Sequence, residues 1–171
     1  MEERTNVATF KGGPLTLVGP EIKVGDQAPH FKLVGNNLAD IDSASFKGQV
    51  RVLSVAPSLD TPVCATQTRT FNKEAVNLAD DVVILSVSLD LPFALSRFCG
   101  AEGIERVLTG SDYKYRGFGE AYGVYIRELG LLARAVFVID RDDKIVHAEY
   151  VSEVTNEPDY AAALAAVKAA L

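Results

Sequence analysis

Val50-Arg51-Val52-Leu53-Ser54-Val55-Ala56-Pro57-Ser58-Leu59-Asp60-Thr61-Pro62-Val63-Cys64 carries three signals in succession. Val50 to Ala56 is β-branched and mostly apolar, as expected of a strand covered on both faces. Pro57 to Asp60 is a short break. Thr61 is then a good helix N-cap and Pro62 a good first helical residue, with Val63, Phe71, Ala75 and Leu78 giving roughly helical spacing beyond. A buried strand that runs straight into a helix is the unit of an α/β fold. In such folds the carboxyl ends of strands and the helix N-termini beyond them form the crevice where ligands bind.

The pattern continues outward. Val82-Val83-Ile84-Leu85-Ser86-Val87 reads as a second buried strand, and Pro92 begins a helix with Leu91, Leu95 and Phe98 at helical spacing; Cys99 lies at its end, with Gly100 expected to help stop it. A short apolar segment, Val107-Leu108, precedes a glycine-weakened helix over Gly117 to Tyr122. Ala135 to Ile139 and Lys144 to Tyr150 then read as strands joined by the polar turn Asp140-Arg141-Asp142-Asp143, and an alanine-rich helix from Pro158 to Leu171 closes the chain, amphipathic through Tyr160, Leu164, Val167 and Leu171. Toward the N-terminus, Val7 to Phe10 and Leu15 to Val18 flank Lys11-Gly12-Gly13-Pro14 as a hairpin, the glycine pair supplying positive φ angles. Phe31 to Val34 and Leu38 to Ile41 form a second strand pair. No repeat or linker divides the chain, so one domain is expected over residues 1–171, with the hairpin at about 5–19. The fold class is α/β: a mixed central sheet covered by helices in three layers.

Composition narrows the function. A chain of 171 residues with 48% hydrophobic residues can bury roughly 70% of its unfolded surface and needs neither disulfide nor metal for a core. With 17 Lys plus Arg against 23 Asp plus Glu, the net charge is −6; with no long basic run, this argues against nucleic-acid binding. No apolar stretch approaches the roughly 20 residues of a membrane-spanning helix, and Met1-Glu2-Glu3-Arg4-Thr5 lacks a signal-peptide core. A cytoplasmic location is expected, with no membrane partner. In a reducing compartment, Cys64 and Cys99 more often stay free or do redox work than form a permanent bridge. His30 and His147 lie far from them in sequence and position 67 is Gln67, so neither a metal site nor a C-x-x-C dithiol is expected, and no cofactor.

Cys64 falls in the first turn of the helix, where the partial positive end of the helix stabilises thiolate over thiol. It reads either as a reactive sulfur or as a small buried hydrophobe. Thr61, three residues earlier, can point into the same turn or serve only as a cap. Arg134 interrupts the apolar run Leu129 to Ile139. A cation there needs an anion, either a carboxylate or a nearby thiolate. Cys99, beside Phe98, is either buried or a partner of Cys64, and a bond between sulfurs on separate helices requires local unwinding.

Pro57-Ser58-Leu59-Asp60-Thr61-Pro62-Val63-Cys64 resembles the P-x-x-x-T-x-x-C active-site signature of peroxiredoxins. Leu91 to Gly103, the N-terminal hairpin and Ala133 to Asp140 are similar, more narrowly, to the thiol peroxidase subfamily of bacterial atypical two-cysteine peroxiredoxins, over nearly the whole chain. The resemblance implies a thioredoxin-like fold and reduction of hydrogen peroxide or organic hydroperoxides. It assigns the peroxidatic role to Cys64 and the resolving role to Cys99, joined in a Cys64–Cys99 disulfide inside each subunit of a homodimer, with thioredoxin as reductant. Pro57, Thr61 and Arg134 complete the peroxide site. A thiol–disulfide oxidoreductase, a redox-sensing binding module and a purely structural protein are the competing readings.

Overall fold

The computed structural model describes residues 1–171. In chain order the elements are β1 (Glu3–Arg4), β2 (Thr9–Phe10), β3 (Gly13–Pro14), β4 (Leu17–Val18), β5 (Lys32–Gly35), β6 (Asp40–Asp42), β7 (Val50–Val55), α1 (Pro62–Ala75), β8 (Val82–Ser88), α2 (Pro92–Glu102), β9 (Leu108–Ser111), α3 (Gly117–Ala121), β10 (Tyr125–Ile126), β11 (Leu131–Leu132), β12 (Ala135–Ile139), β13 (Ile145–Tyr150) and α4 (Tyr160–Ala170). A seven-stranded sheet in the order β13-β12-β7-β8-β9-β5-β6 runs through the molecule. Its centre, β7-β8-β9, is parallel, and both flanks are antiparallel.

The central strands are apolar on both faces because both are covered. On one side Val50, Val52, Ile84, Val136 and Val138 pack with Phe71 of α1 and Ala163 and Val167 of α4. On the other, Leu53, Val55, Leu85, Val87 and Phe137 pack with Phe118 and Tyr122 around α3 and with the N-terminal residues Leu15, Leu17 and Phe31. The expected three layers are present. No helix is long and apolar enough to cross a membrane.

Several local readings change. The N-terminal turn is Lys11-Gly12, with φ of 49° and 81°, so Gly13 and Pro14 pair with Phe10 and Thr9 as strand residues. Leu17–Val18 belongs instead to a separate four-stranded sheet with β1, β10 and β11, and β10 and β11 had no strand-like run to betray them. β9 is the third parallel strand although it reads Leu-Thr-Gly-Ser; Gly110 is needed because a Cβ there would press on Leu33. Gly100 does not stop α2. The helix continues to Glu102 and ends at Gly103, whose φ of 65° and N–H bond to the Cys99 carbonyl make the left-handed cap. α4 starts at Tyr160, capped by the Asp159 side chain, and buries Ala163 and Val167 rather than Leu164.

The small β2–β3 hairpin is tied to the segment after β13. Thr9 N–H donates to the Ser152 carbonyl at 2.8 Å, and Val154 N–H donates to the Thr9 carbonyl at 2.9 Å. The Glu153 carboxylate sits between them. One oxygen accepts from Thr9 Oγ1 and Gly12 N–H, both at 2.9 Å, and the other from Thr155 N–H at 3.0 Å and Thr155 Oγ1 at 2.8 Å. The hydrogen bonds from Thr155 and Gly12 to the ionised form hold this carboxyl far below its usual 4.5, at about 2. Because the folded value is depressed, the stabilisation is complete above the unfolded value and is lost as pH falls from 4.5 through about 2. The amide proton shifts of Gly12 and Thr155 are expected to titrate together near that lower value; a common midpoint at the ordinary carboxylate value would show that the clamp is open.

Candidate active site

The site begins where β7 ends. Ala56 N–H still donates to the Val87 carbonyl at 3.0 Å, and the chain then leaves the sheet through Pro57 to Asp60. Asp90, just past β8, holds this loop: its carboxylate accepts from Ser58 Oγ at 2.7 Å, Leu59 N–H at 2.8 Å and Ser88 Oγ at 2.9 Å. Helix α1 follows with Thr61 in the N-cap position. Its first intrahelical bond runs from Ala65 N–H to the Thr61 carbonyl at 3.0 Å, so the Val63 and Cys64 N–H groups are orphan donors of the first turn. Thr61 does not use its side chain as a cap. Its hydroxyl donates to the Ser58 carbonyl at 2.9 Å, which leaves its lone pairs free to accept a proton donor from outside.

Arg134 resolves the question its sequence context left open. β12 is antiparallel to β7 with Ala135 opposite Val55, so the residue before Ala135 reaches the carboxyl end of β7 beside the start of α1. The guanidinium is 2% exposed and forms no carboxylate ion pair. Its Nε donates to the Val154 carbonyl at 2.8 Å, one terminal nitrogen to Gln67 Oε1 at 2.8 Å, and the other to Cys64 Sγ at 3.2 Å. The planar fork fixes all three directions at once. Gln67, one helical turn after Cys64 and wholly buried, donates in turn to Ser54 Oγ at 2.7 Å. The partner this cation faces in place of a carboxylate is a sulfur, and the guanidinium is a fixed donor beside it.

Beside the guanidinium lies a cavity of about 320 Å³ whose walls, almost wholly apolar, include Phe10, Pro57, Val63, Leu131 and Val154, with Thr61 at its edge. Arg134 lines it but Cys64, 0% exposed, does not. Cys64 instead packs with Ala56, Leu59 and Leu95. Arg134 therefore contributes to the cavity wall while its guanidinium bonds the sulfur behind it.

Cys99 lies apart from this group. Both cysteines are free thiols, and Cys99 is half-buried against the cluster of Val50, Phe71 and Ile104, with Phe98 packed between that cluster and the one around Cys64. Its only polar contact is Thr109 Oγ1 at 3.8 Å. Burial pushes the Cys99 thiol above its ordinary value, more than the Thr109 contact lowers it.

Of the residues singled out in the sequence, Pro57, Thr61, Cys64 and Arg134 come together at one end of β7, and Cys99 does not join them. Gln67, Asp90 and the Val154 carbonyl are part of the site and were not read from the sequence. Gln67 sits on the Cys64 face of α1, a position that helical spacing marks; Asp90 and Val154 carry no local signal.

The Redoxin family model matches residues 23–164. The chain is 57% identical over 161 residues to a thiol peroxidase of Bacillus subtilis, covering 94% of this chain and 96% of that one. It is 56% identical over 163 residues to the thiol peroxidase of Halalkalibacterium halodurans, covering 95% and 98%. A crystal structure of a peroxiredoxin-like protein from Aquifex aeolicus superposes over 100% of both chains with a TM-score of 0.91 at 41% identity. With its thioredoxin-like α/β architecture and its Thr61-x-x-Cys64 turn facing Arg134, the chain belongs to the Redoxin family, on the branch of the thiol peroxidases.

Proposed function

We propose that the chain, acting as one domain over residues 1–171, is a thiol-dependent peroxidase that reduces hydrogen peroxide and organic hydroperoxides. The observation that carries this reading is the buried guanidinium of Arg134, bonded to Cys64 Sγ at 3.2 Å with no carboxylate to neutralise it. A charge of that kind needs an anion, and a thiolate is the nucleophile that cleaves a peroxide. The Cys64 thiolate attacks the oxygen farther from the carbon, the O–O bond breaks, and sulfur is oxidised by two electrons to a sulfenic acid. The departing alkoxide takes a proton and leaves as an alcohol, or as water from hydrogen peroxide. Arg134 and the free N–H groups of the first turn stabilise charge growing on the leaving oxygen, while the Thr61 lone pairs accept the hydroperoxide O–H. Pro57 walls the site from water. The apolar cavity beside Arg134 supports substrates carrying an alkyl group.

Cys99 resolves the intermediate: its sulfur attacks the Cys64 sulfenic acid, water leaves, and a Cys64–Cys99 disulfide remains. In the folded helix this thiol is half-buried, held protonated and screened by Phe98, so resolution needs α2 to open. The helix is suited to that, since only Pro92 and Leu95 of it are buried and neither end has a side-chain cap. Thioredoxin then reduces the bridge by dithiol exchange, which regenerates both thiols. Exposed Leu91 and Phe93 at the start of α2 support pairing with a second copy as a homodimer. The acidic composition and the pair of free thiols fit the cytoplasm.

Cys64→Ser is expected to abolish peroxide consumption, and Cys99→Ser to allow one fast turnover that leaves a sulfenic acid visible by mass spectrometry; steady turnover by Cys64→Ser with thioredoxin would refute the assignment. Arg134→Ala should slow sulfur oxidation in stopped-flow by about 100-fold, the usual cost of losing one such donor. Amides of residues 92–103 should exchange faster in the disulfide form than in the dithiol form, and equal rates in both states would exclude opening of α2.

A further inference from the structure

The direction in which Arg134 points is set partly by a residue that does not touch the sulfur. Of its three hydrogen bonds, those to Gln67 and Cys64 lead to α1, the helix that carries the nucleophile itself. The third, from Nε to the Val154 carbonyl, leads to the segment after β13. That segment has no regular structure of its own. The Val154 peptide is held by Thr9 on one side, through Val154 N–H at 2.9 Å, and by the flanking Glu153 carboxylate, which gathers Thr9, Gly12 and Thr155 around it. The same clamp places Phe10, Val154 and Thr155 in the cavity wall. Both oxygens of Glu153 face backbone N–H groups, so only a group that accepts on both sides closes the clamp.

We propose that Glu153 is a positioning residue for the sulfur chemistry: by clamping the β2–β3 hairpin to residues 152–155 it holds the Val154 carbonyl where it aims Arg134 at Cys64. This rests on the role given to Arg134 above. A small change in the fork's direction matters because a misplaced donor loses charge stabilisation steeply with distance and angle.

The test is Glu153→Gln in the full chain. Whichever way the amide is turned, its NH₂ opposes the N–H of Gly12 or of Thr155, so the clamp opens with almost no change in side-chain size. The Arg134 Nε–H signal of the reduced protein, followed by ¹⁵N NMR, is expected to shift and to exchange faster with water, and oxidation of Cys64 by hydrogen peroxide should slow roughly tenfold. Combined with Arg134→Lys, the second substitution should add no further slowing, since it acts through the guanidinium. An unchanged Nε–H signal, oxidation at the wild-type rate, or equal slowing in the Arg134→Lys background overturns the proposal. If Glu153→Gln does not fold, Thr155→Val, which removes one hydroxyl donor from the same oxygen, must displace the Nε–H signal in the same direction; no displacement overturns it as well. If Arg134→Lys alone oxidises at the wild-type rate while Glu153→Gln moves the Nε–H signal, the reading of Arg134 fails and the anchoring by Glu153 stands.

Discussion

A guanidinium taken out of water must recover most of its hydration from fixed partners, because the idealised cost of moving such an ion into a low-dielectric interior is about 20 kcal/mol. Arg134 recovers it from a backbone carbonyl, a glutamine oxygen and a sulfur. None of these carries a permanent charge. The electrostatic demand of the buried cation therefore falls on the sulfur, the one partner that can become an anion, and most of the architecture around it serves that pairing. The antiparallel register of β12 on β7 delivers the arginine to the end of the strand from which Cys64 follows. Asp90 stiffens the connecting loop, and Gln67 ties the guanidinium to the helix and to Ser54 of β7.

The same packing that shields Cys64 works against the second half of the proposed cycle. Cys99 is separated from it by Phe98 and kept protonated by burial. A rigid scaffold for the first sulfur and a loosely held helix for the second are complementary requirements. The distribution of burial reflects them. α1 buries Cys64, Gln67, Thr68 and Phe71 along one face, whereas α2 buries only Pro92 and Leu95 and leaves Phe93 in solvent. Opening α2 exposes little additional apolar surface, while opening α1 would uncover the centre of one core cluster.

Fold class was legible in the residues because the strongest signals, β-branched apolar runs followed by proline-initiated helices, are local. β7, β8, β12, β13, α1 and α4 were all visible in this way. β9 was not: Leu-Thr-Gly-Ser is strand only because Gly110 lets Leu33 approach and because β8 offers it a parallel edge. The two-residue strands β10 and β11 form for a similar reason, since β4 supplies the pairing that their own sequence does not demand. Gly100 and Gly103 are equivalent in composition, and the cap went to Gly103, where the backbone turns left-handed.

What the sequence determined by itself was the local setting of Cys64. Pro57, Thr61, Pro62 and Cys64 lie within one loop and one helical turn, so their spacing sets their geometry whatever the rest of the chain does. Only the tertiary structure decided which groups Arg134 bonds, that Cys99 lies outside the site in the dithiol form, and that the carboxylate of residue 153 and the guanidinium of residue 134 meet the chain on either side of the carbonyl at 154. These depend on strand register and on hairpin docking between segments far apart in the chain. Such pairings arise from burial and hydrogen-bond closure over the whole molecule and leave no periodicity in the residues that make them.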